Sequence, residues 1–539
     1  MKHLIIVLSY TIILHITMPC FCQTWQRMYF PNNATFPQKV MEGYDKGYLI
    51  GGLFINSGGT PRFGLLIKTD INGEMLWYKT IGENNEGTGV FDIEQTNDGG
   101  YVFSGATKKT DPWGDSFIMK LNFCGEHEWC RIYTSMPDSF DYIASIHQVS
   151  GGYIALMRRG GEMFKTNHIM LLFLDGNGVL IWQQLYAQND SLFRGADCNE
   201  MIVTNDNHYL ISGYCYYPDS GTTGPRYLRP LVIKVDSTGT ADWELPWSYI
   251  NGELFYGQAF RSIMDNQGFI YSGGRHIEDT TTPPGDRPTV IKTDKEGNEI
   301  AYYDIRNNTW QAIIYTLNWF EDSTIALGGA WTYQPSNEGI SRVIKVDQNF
   351  NQIDSVTIFS GYYTFHDALK TFDNKLLLTA PIYTNMYHTY AWKLNSDLEY
   401  DSIYTQTYMY DSLCSHQITS DTIPLDCVLV GINEPFENPE TGKIVVYPNP
   451  ASEKIHIILP DQLKTVTQNQ IFKLRTIYHQ WKSTLLEVYD LFGRRMFNKE
   501  IPKSEKEIVI DVSAWPNGMY VVRLVYNKEM LGSVKIIVQ

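Results

Sequence analysis

An apolar run closed by a polar residue returns along this chain at intervals near 50 residues, and few folds accommodate such a rhythm. It reads IKTD (67–70), MKLN (119–122), LFLD (172–175), IKVD (233–236), IKTD (291–294), IKVD (344–347) and WKLN (392–395). Successive terminal polar residues lie 52, 53, 61, 58, 53 and 48 positions apart. A second landmark precedes each one: GYLIGG from 47, GYVFSG from 100, GYIALM from 152, HYLISG from 208, GFIYSGG from 268, TIALGG from 324 and KLLLTA from 375. Short apolar runs between turn residues at this period describe a radial or stacked repeat.

The internal geometry of the unit follows from a third landmark. In the first four repeats a Trp stands seven positions after the polar residue: Asp70/Trp77, Asn122/Trp129, Asp175/Trp182 and Asp236/Trp243. Constant spacing implies a hairpin of fixed turn length, with Gly73, Gly125, Gly178 and Gly239 available for positive φ. A further strand upstream, such as 90–96, makes four per unit, the content of a propeller blade. The run Tyr101–Gly105 is apolar almost throughout, as befits a strand covered on both faces by neighbouring blades. Residues 24–30 (TWQRMYF) look like the fourth strand WYKTI at 77–81 yet precede the first repeat. They are expected to close the ring against the seventh blade, with 401–405 as the competing segment.

The expected fold is therefore all-β: a seven-bladed β-propeller followed by a small C-terminal, Ig-like β-sandwich. Residues 1–22 read as a secretory signal, with Lys2, an apolar stretch from Leu4 to Pro19, and small Cys20 and Cys22 before a cut at Gln23. Its Ser9, Thr11, His15 and Thr17 make a poor membrane anchor, and no transmembrane segment is expected in the mature chain. The propeller is assigned to 23–405, a linker with a cysteine pair to 406–442, and the terminal domain to 443–539. A net charge of −16, with no basic run in the repeats, argues against a nucleic-acid partner.

Beyond the signal stand Cys124, Cys130, Cys198, Cys215, Cys414 and Cys427. Their spacing suggests three disulfides between near neighbours, 124/130, 198/215 and 414/427, in an oxidising compartment. For Cys198 and Cys215 there is a register argument as well. If Thr204 faces Tyr209 across an antiparallel turn, the two cysteines stand opposite each other.

Four segments near the C-terminus carry a specific resemblance: VVYPNPA (445–451), LLEVYDLFGRRM (485–496), IVIDVSAWPNGMYVVRL (508–524) and SVKIIVQ (533–539). In order and spacing they resemble the type A C-terminal sorting domain of the Bacteroidetes type IX secretion system. The resemblance implies the type IX machinery as a partner, passage through the outer membrane, removal of the domain, and a secreted or surface-attached product. The stretch 462–484 is longer than the usual connection and is taken as a loop insertion. More loosely, Gly-Gly doublets at 51, 273 and 328 with a downstream Trp resemble Kelch-type propellers. That resemblance implies a fold and no activity.

Motifs for chemistry are sparse. The turns at 70–74, 175–179 and 294–298 look like half a calcium loop but run straight into a strand, so they are expected to be hairpin turns and no metal is assigned. No HExxH, GxSxG or phosphate loop occurs, so no catalytic residue and no cofactor is assigned. The connections between the second and third strands of each unit vary most and gather Arg and aromatic residues on one rim. Tyr216, Tyr217, Arg226, Tyr227, Arg229, Arg275 and Trp331 are the candidate ligand-binding residues there, with the connection 214–229 foremost. Such side chains stack on sugars and pair with carboxylates, so a glycan or protein ligand is expected. A polysaccharide-active hydrolase or lyase on the same rim is the alternative, and carboxylates converging on the central channel would favour it.

Overall fold

A computed structural model describes residues 24–55, 62–83, 86–134, 140–160, 167–187, 195–218, 226–247, 249–250, 253–278, 285–305, 311–321, 323–333, 338–361, 365–431, 445–448, 450–458, 484–490, 493–501, 507–526 and 529–539. The signal segment and the insertion expected over 462–484 lie outside these residues, apart from Thr484. Seven sheets, each built on four antiparallel strands (a to d), follow one another along the chain as blades 1 to 7. The inner strands a are Ala34–Glu42, Gly89–Gln95, Tyr142–Val149, Ala196–Val203, Gly257–Met264, Gln311–Glu321 and Asp367–Lys370. The outer strands d of blades 1 to 6 are Met75–Ile81, His127–Thr134, Leu180–Tyr186, Ala241–Pro246, Glu299–Asp304 and Gln352–Ser360. Blade 7 takes its strand d from the start of the chain, where Gln26–Tyr29 pairs antiparallel with Tyr387–Leu394 in the register Gln26↔Trp392.

The repeated residues explain why these sheets form. In four of the landmarks the Lys is buried on strand c and meets an acid of the a–b turn: Lys68–Asp45 at 2.6 Å, Lys120–Asp98 at 3.0 Å, Lys234–Asp206 at 3.0 Å and Lys393–Asp373 at 3.1 Å. The polar residue that ends the landmark organises the c–d turn. Asp175 Oδ1 accepts from the amides of Asn177 and Val179 at 2.9 and 2.8 Å. Asp294 does the same for Glu296 and Asn298 at 3.0 and 2.8 Å. These are the hairpin turns expected, with the carboxylate oxygen that a calcium loop would need engaged by backbone.

Adjacent blades are joined by the aromatics of strand d. Tyr133 donates to Gly178 O of the next blade at 2.9 Å, and Tyr186 to Gly239 O at 2.8 Å. Tyr29 of the closing strand donates to Gly73 O at 2.9 Å, and Trp25 Nε1 to Ile71 O at 2.8 Å. A Cβ on Gly178, at φ +72, would sit 2.5 Å from the Trp129 ring. Seen this way, the resemblance of 24–30 to a fourth strand reflects one contact repeated around the ring. In blade 6 the turn residue is Phe350 instead of Gly, at φ +59, and its ring lies 4.6 Å from Tyr303.

The linker is a belt. Residues 421–423 add a strand parallel to Met75–Ile81, and Val428–Gly431 adds one parallel to His127–Thr134. Disulfides fasten it, Cys124 to Cys414 and Cys130 to Cys427, so both expected neighbour pairs exchange partners. Sequence proximity misled because the belt returns to blade 2 from the far end of the ring. The third expected bridge is absent as well: Cys198 and Cys215 are buried thiols. Val203, not Thr204, faces Tyr209, and a bulge between Cys198 and Glu200 shifts the register once more, so Cys198 faces Gly213 and Cys215 faces Ala196.

The terminal domain is a sandwich of a three-stranded and a four-stranded sheet over one core that includes Ile455, Leu486, Val522 and Ile536. Among the described residues no helix is long and apolar enough to cross a membrane.

Candidate functional site

The connection 214–229 is mostly strand. Strands b and c of blade 4 run Tyr209–Pro218 and Arg226–Val235, and pair out to Pro218↔Arg226. Tyr217 and Arg226 hold positions on this extended hairpin opposite Tyr227 and Pro218. Tyr216 is 46% exposed, whereas Arg229 is fully buried. Its guanidinium donates to Phe255 O and lies 4.5 Å from the Tyr256 ring, which in turn lies 4.7 Å from Tyr227. Arg275 pairs with Asp286 at 3.0 Å and donates to Gln258 at 3.0 Å. Trp331 is fully buried in the core of blades 5 and 6 with Ile314 and Leu327. The structure thus gathers Tyr227 and Arg229 at the contact between blades 4 and 5, and places Trp331 inside the core of blades 5 and 6. Arg229 and Trp331 are buried instead of exposed because strands b and c extend farther than turn composition suggested.

The same rim presents other aromatics. Trp113 is 49% exposed, Tyr383 51% and Tyr387 38%. Tyr383 and Tyr387 face each other across the blade 7 hairpin with ring centroids 5.1 Å apart, and Phe36 of blade 1 lies 4.5 Å from Tyr387. They form a short aromatic strip across the seam between blades 7 and 1.

A second candidate, which the repeat landmarks did not reveal, lies in the channel. Strand a of blades 1 to 6 carries a register shift just before Lys39, Asp92, Ser145, Glu200, Arg261 and Thr316. Asp367 takes the corresponding place in blade 7, opposite Thr379. A bulge re-aims the residue that follows it. One polar side chain per blade thereby forms a ring. The sequence does mark the bulges. At Gly52, Gly105, Gly213, Gly274 and Gly329 a Cβ would overlap a strand-a carbonyl, that of Phe36, Gly89, Asp197, Gln258 and Ile313. Glycine at the end of the second landmark is thus the legible trace of the ring.

Four members of this ring form an alternating ion circuit across blades 1, 4, 5 and 7. Lys39 lies 3.4 Å from Glu200 and 3.7 Å from Asp367. Arg261 contacts Glu200 and lies 3.3 Å from Asp367, and it also donates to His366 O at 3.0 Å. Burial pulls Lys39 down, but Asp367 and Glu200 outweigh it and hold the amine above its ordinary value. Burial, aided by Arg261, pushes the His366 imidazole down to about 4. His147 behaves in the opposite way. Burial disfavours its charge, yet Nδ1 lies 2.8 Å from Glu94 and Nε2 2.9 Å from Met201 O, so the ring is held above 6.5.

The neighbouring carboxylates are engaged too. Asp92 accepts from the amides of Ile93 and Ile146 at 2.9 and 2.7 Å, the second across a blade boundary. Asp197 receives Arg158 Nε at 3.0 Å, Tyr214 OH at 3.0 Å and Tyr142 OH at 3.1 Å. Asp367 Oδ2 accepts from Val40 N at 3.0 Å, again across a boundary. Acidic groups do converge on the channel, and their geometry ties blades together.

The chain is similar to solved structures at low identity. An ulvan lyase described as a polysaccharide lyase is 9% identical with a TM-score of 0.45, covering 68% of this chain and 95% of that one. A Synechocystis apocarotenoid oxygenase is 12% identical with a TM-score of 0.34, covering 60% and 71%. The acylaminoacyl peptidase of Pyrococcus horikoshii is 11% identical with a TM-score of 0.39, covering 79% and 57%. Likeness of this order transfers no residue role. No curated protein sequence matches the chain. Residues 445–539 match the family described as the secretion system C-terminal sorting domain, so this is a type IX substrate destined for the extracellular space or the cell surface.

Proposed function

We propose that the exported propeller is a binding module that engages a glycan or protein ligand on its b–c rim. The observation that carries this reading is the exposure of Tyr216, Tyr383 and Tyr387 on paired strands of that rim, with Trp113 on the blade 2 connection, between 38% and 51%. An exposed ring held by strand pairing gives up little conformational freedom when a sugar or side chain stacks on it. Tyr217, Arg226 and Tyr227 are proposed members of the same rim by their place on the blade 4 hairpin, with Arg229 and Arg275 as supports. We read the ring as Kelch-type from its Gly-Gly doublets.

The alternative, a polysaccharide-active hydrolase or lyase, is favoured by the convergence of Asp92, Asp197, Glu200 and Asp367 on the channel and its mouth. The engagement of each by Lys, Arg, Tyr or backbone amides weighs against an acid–base role.

The test is to screen the full chain on glycan and host-protein arrays, then change the rim in two sets. One set replaces Tyr216, Tyr217, Arg226 and Tyr227 with Ala, and the other Tyr383 and Tyr387. Loss of one stacked aromatic, at about 0.5–2 kcal/mol, weakens binding about 2- to 30-fold. Binding that survives both sets in folded protein refutes the rim, and depolymerisation of a polysaccharide by the chain establishes the enzyme.

A further inference from the structure

A sandwich standing alone keeps the outer faces of its sheets in water. The terminal domain does not. Along Thr484–Asp490 the side chains of Leu486 and Val488 enter the sandwich core, as do Tyr520, Val522 and Leu524 along Gly518–Tyr526. Strand alternation sends Glu487, Tyr489, Val521 and Arg523 to the opposite face. Yet Val521 is 1% exposed, Arg523 5%, and Glu487 and Tyr489 6% each.

The cover comes from the a–b and c–d rim of blades 3 and 4. Tyr489 and Val521 share an apolar cluster with Ile181 and Trp182 of blade 3. Gly493 packs so closely that a Cβ there would stand 2.8 Å from Gly151 O and 3.4 Å from Ile181 Cδ1. Lys535 Nζ donates to Thr238 O of blade 4 and lies 5.4 Å from the Trp182 ring. Arg523 acts as the pin. It donates through Nε to Glu487 at 2.8 Å, through Nη2 to Tyr489 OH at 3.0 Å, and through Nη1 to Leu180 O of blade 3. A buried guanidinium needs acceptors on all sides, and blade 3 supplies one of them.

We propose that the sorting domain is exported docked on blades 3 and 4, and that its departure uncovers an apolar propeller surface centred on Ile181 and Trp182. The occupant of that surface in the unprocessed chain is the chain's own sorting domain. Its tether raises the effective concentration to about the millimolar range, so a modest interface holds it.

Hydroxyl-radical footprinting of the full chain tests this, read by mass spectrometry at Tyr489. In the wild type, Tyr489 is expected to oxidise at least fivefold more slowly than exposed Tyr383. In the Ile181→Asp variant it is expected to approach the Tyr383 rate, while Tyr520, inside the sandwich core, stays protected. Should Ile181→Asp unfold its blade, Val521→Asp provides the reciprocal reading. There, oxidation at 180–182 is expected to rise while Trp392 of blade 7 stays protected. Wild-type Tyr489 oxidised as fast as Tyr383, or rates unchanged in folded variants, overturns the proposal.

Discussion

Replacing Cys124 and Cys414 with Ala, or Cys130 and Cys427, should cost far less than replacing all four. The two bridges join residues 290 and 297 apart. In the chain-entropy account a single bridge closing a loop of that size stabilises by about 5.7 kcal/mol. With one bridge in place, the second closes only the short circuit through 124–130 and 414–427. That circuit contains roughly 20 residues, worth about 3 kcal/mol. Removing either bridge alone therefore costs about 3 kcal/mol, and removing the survivor about 6 kcal/mol more. The order of removal does not matter. Urea unfolding of the four proteins, oxidised and monitored by Trp fluorescence, measures the midpoints and slopes from which these losses follow. The cavities left by the sulfurs are common to single and combined variants, so the non-additivity isolates the loop term. Two equal losses that sum to the fourfold loss would refute the reasoning, because the bridges would then act as independent local contacts.

The Arg261→Met variant leaves Lys39 as the only cation of the circuit for Glu200 and Asp367, at 3.4 and 3.7 Å, and is expected to cost about 3–5 kcal/mol. The double variant Arg261→Met with Glu200→Gln should cost less than the single, and a larger loss on urea unfolding contradicts the circuit. His147 has a folded pKa above 6.5, so its stabilisation is complete below that value and disappears as pH rises through the folded pKa. Melting curves between pH 5 and 9 should show His147→Gln losing most relative to wild type on the acidic side; a constant difference across that range counts against it.

Much of the architecture was legible because the repeat shows itself through residues with fixed jobs. The Lys and Asp of IKxD are visible because one meets the a–b turn and the other builds the c–d turn. The closing strand was visible because Trp25 and Tyr29 make on blade 1 the contact that Trp129 and Tyr133 make on blade 3. Pairing of the cysteines was not legible, since it depends on where the belt returns, and no residue in 406–431 announces blade 2. For Cys198 and Cys215 the turn set Val203, one residue earlier than Thr204, opposite Tyr209, and a bulge then moved the register by one more. The channel ring escaped because its positions, Lys39, Asp92, Ser145, Glu200, Arg261, Thr316 and Asp367, share no residue type, although Gly52, Gly105, Gly213, Gly274 and Gly329 mark the bulge beside it. Rim residues divided by strand length: Tyr216 stayed in solvent, while Arg229 and Trp331 were drawn inside.

The belt also decides where the ring feels a pull. The seam is held by four paired residues, Gln26–Tyr29 against Tyr387–Leu394, and would peel if tension reached it through Tyr400 and Asp401. Tension entering from beyond Gly431 meets the strand 428–431 first, laid parallel to His127–Thr134 and bonded at Cys130. Hydrogen bonds of a parallel strand pulled along its length share the load rather than opening one by one. Behind them the covalent bridge hands the force to blade 2, four positions before residue 431. Wherever the chain is held from beyond Gly431, the propeller is thereby gripped on its flank at blade 2, away from the closing strand.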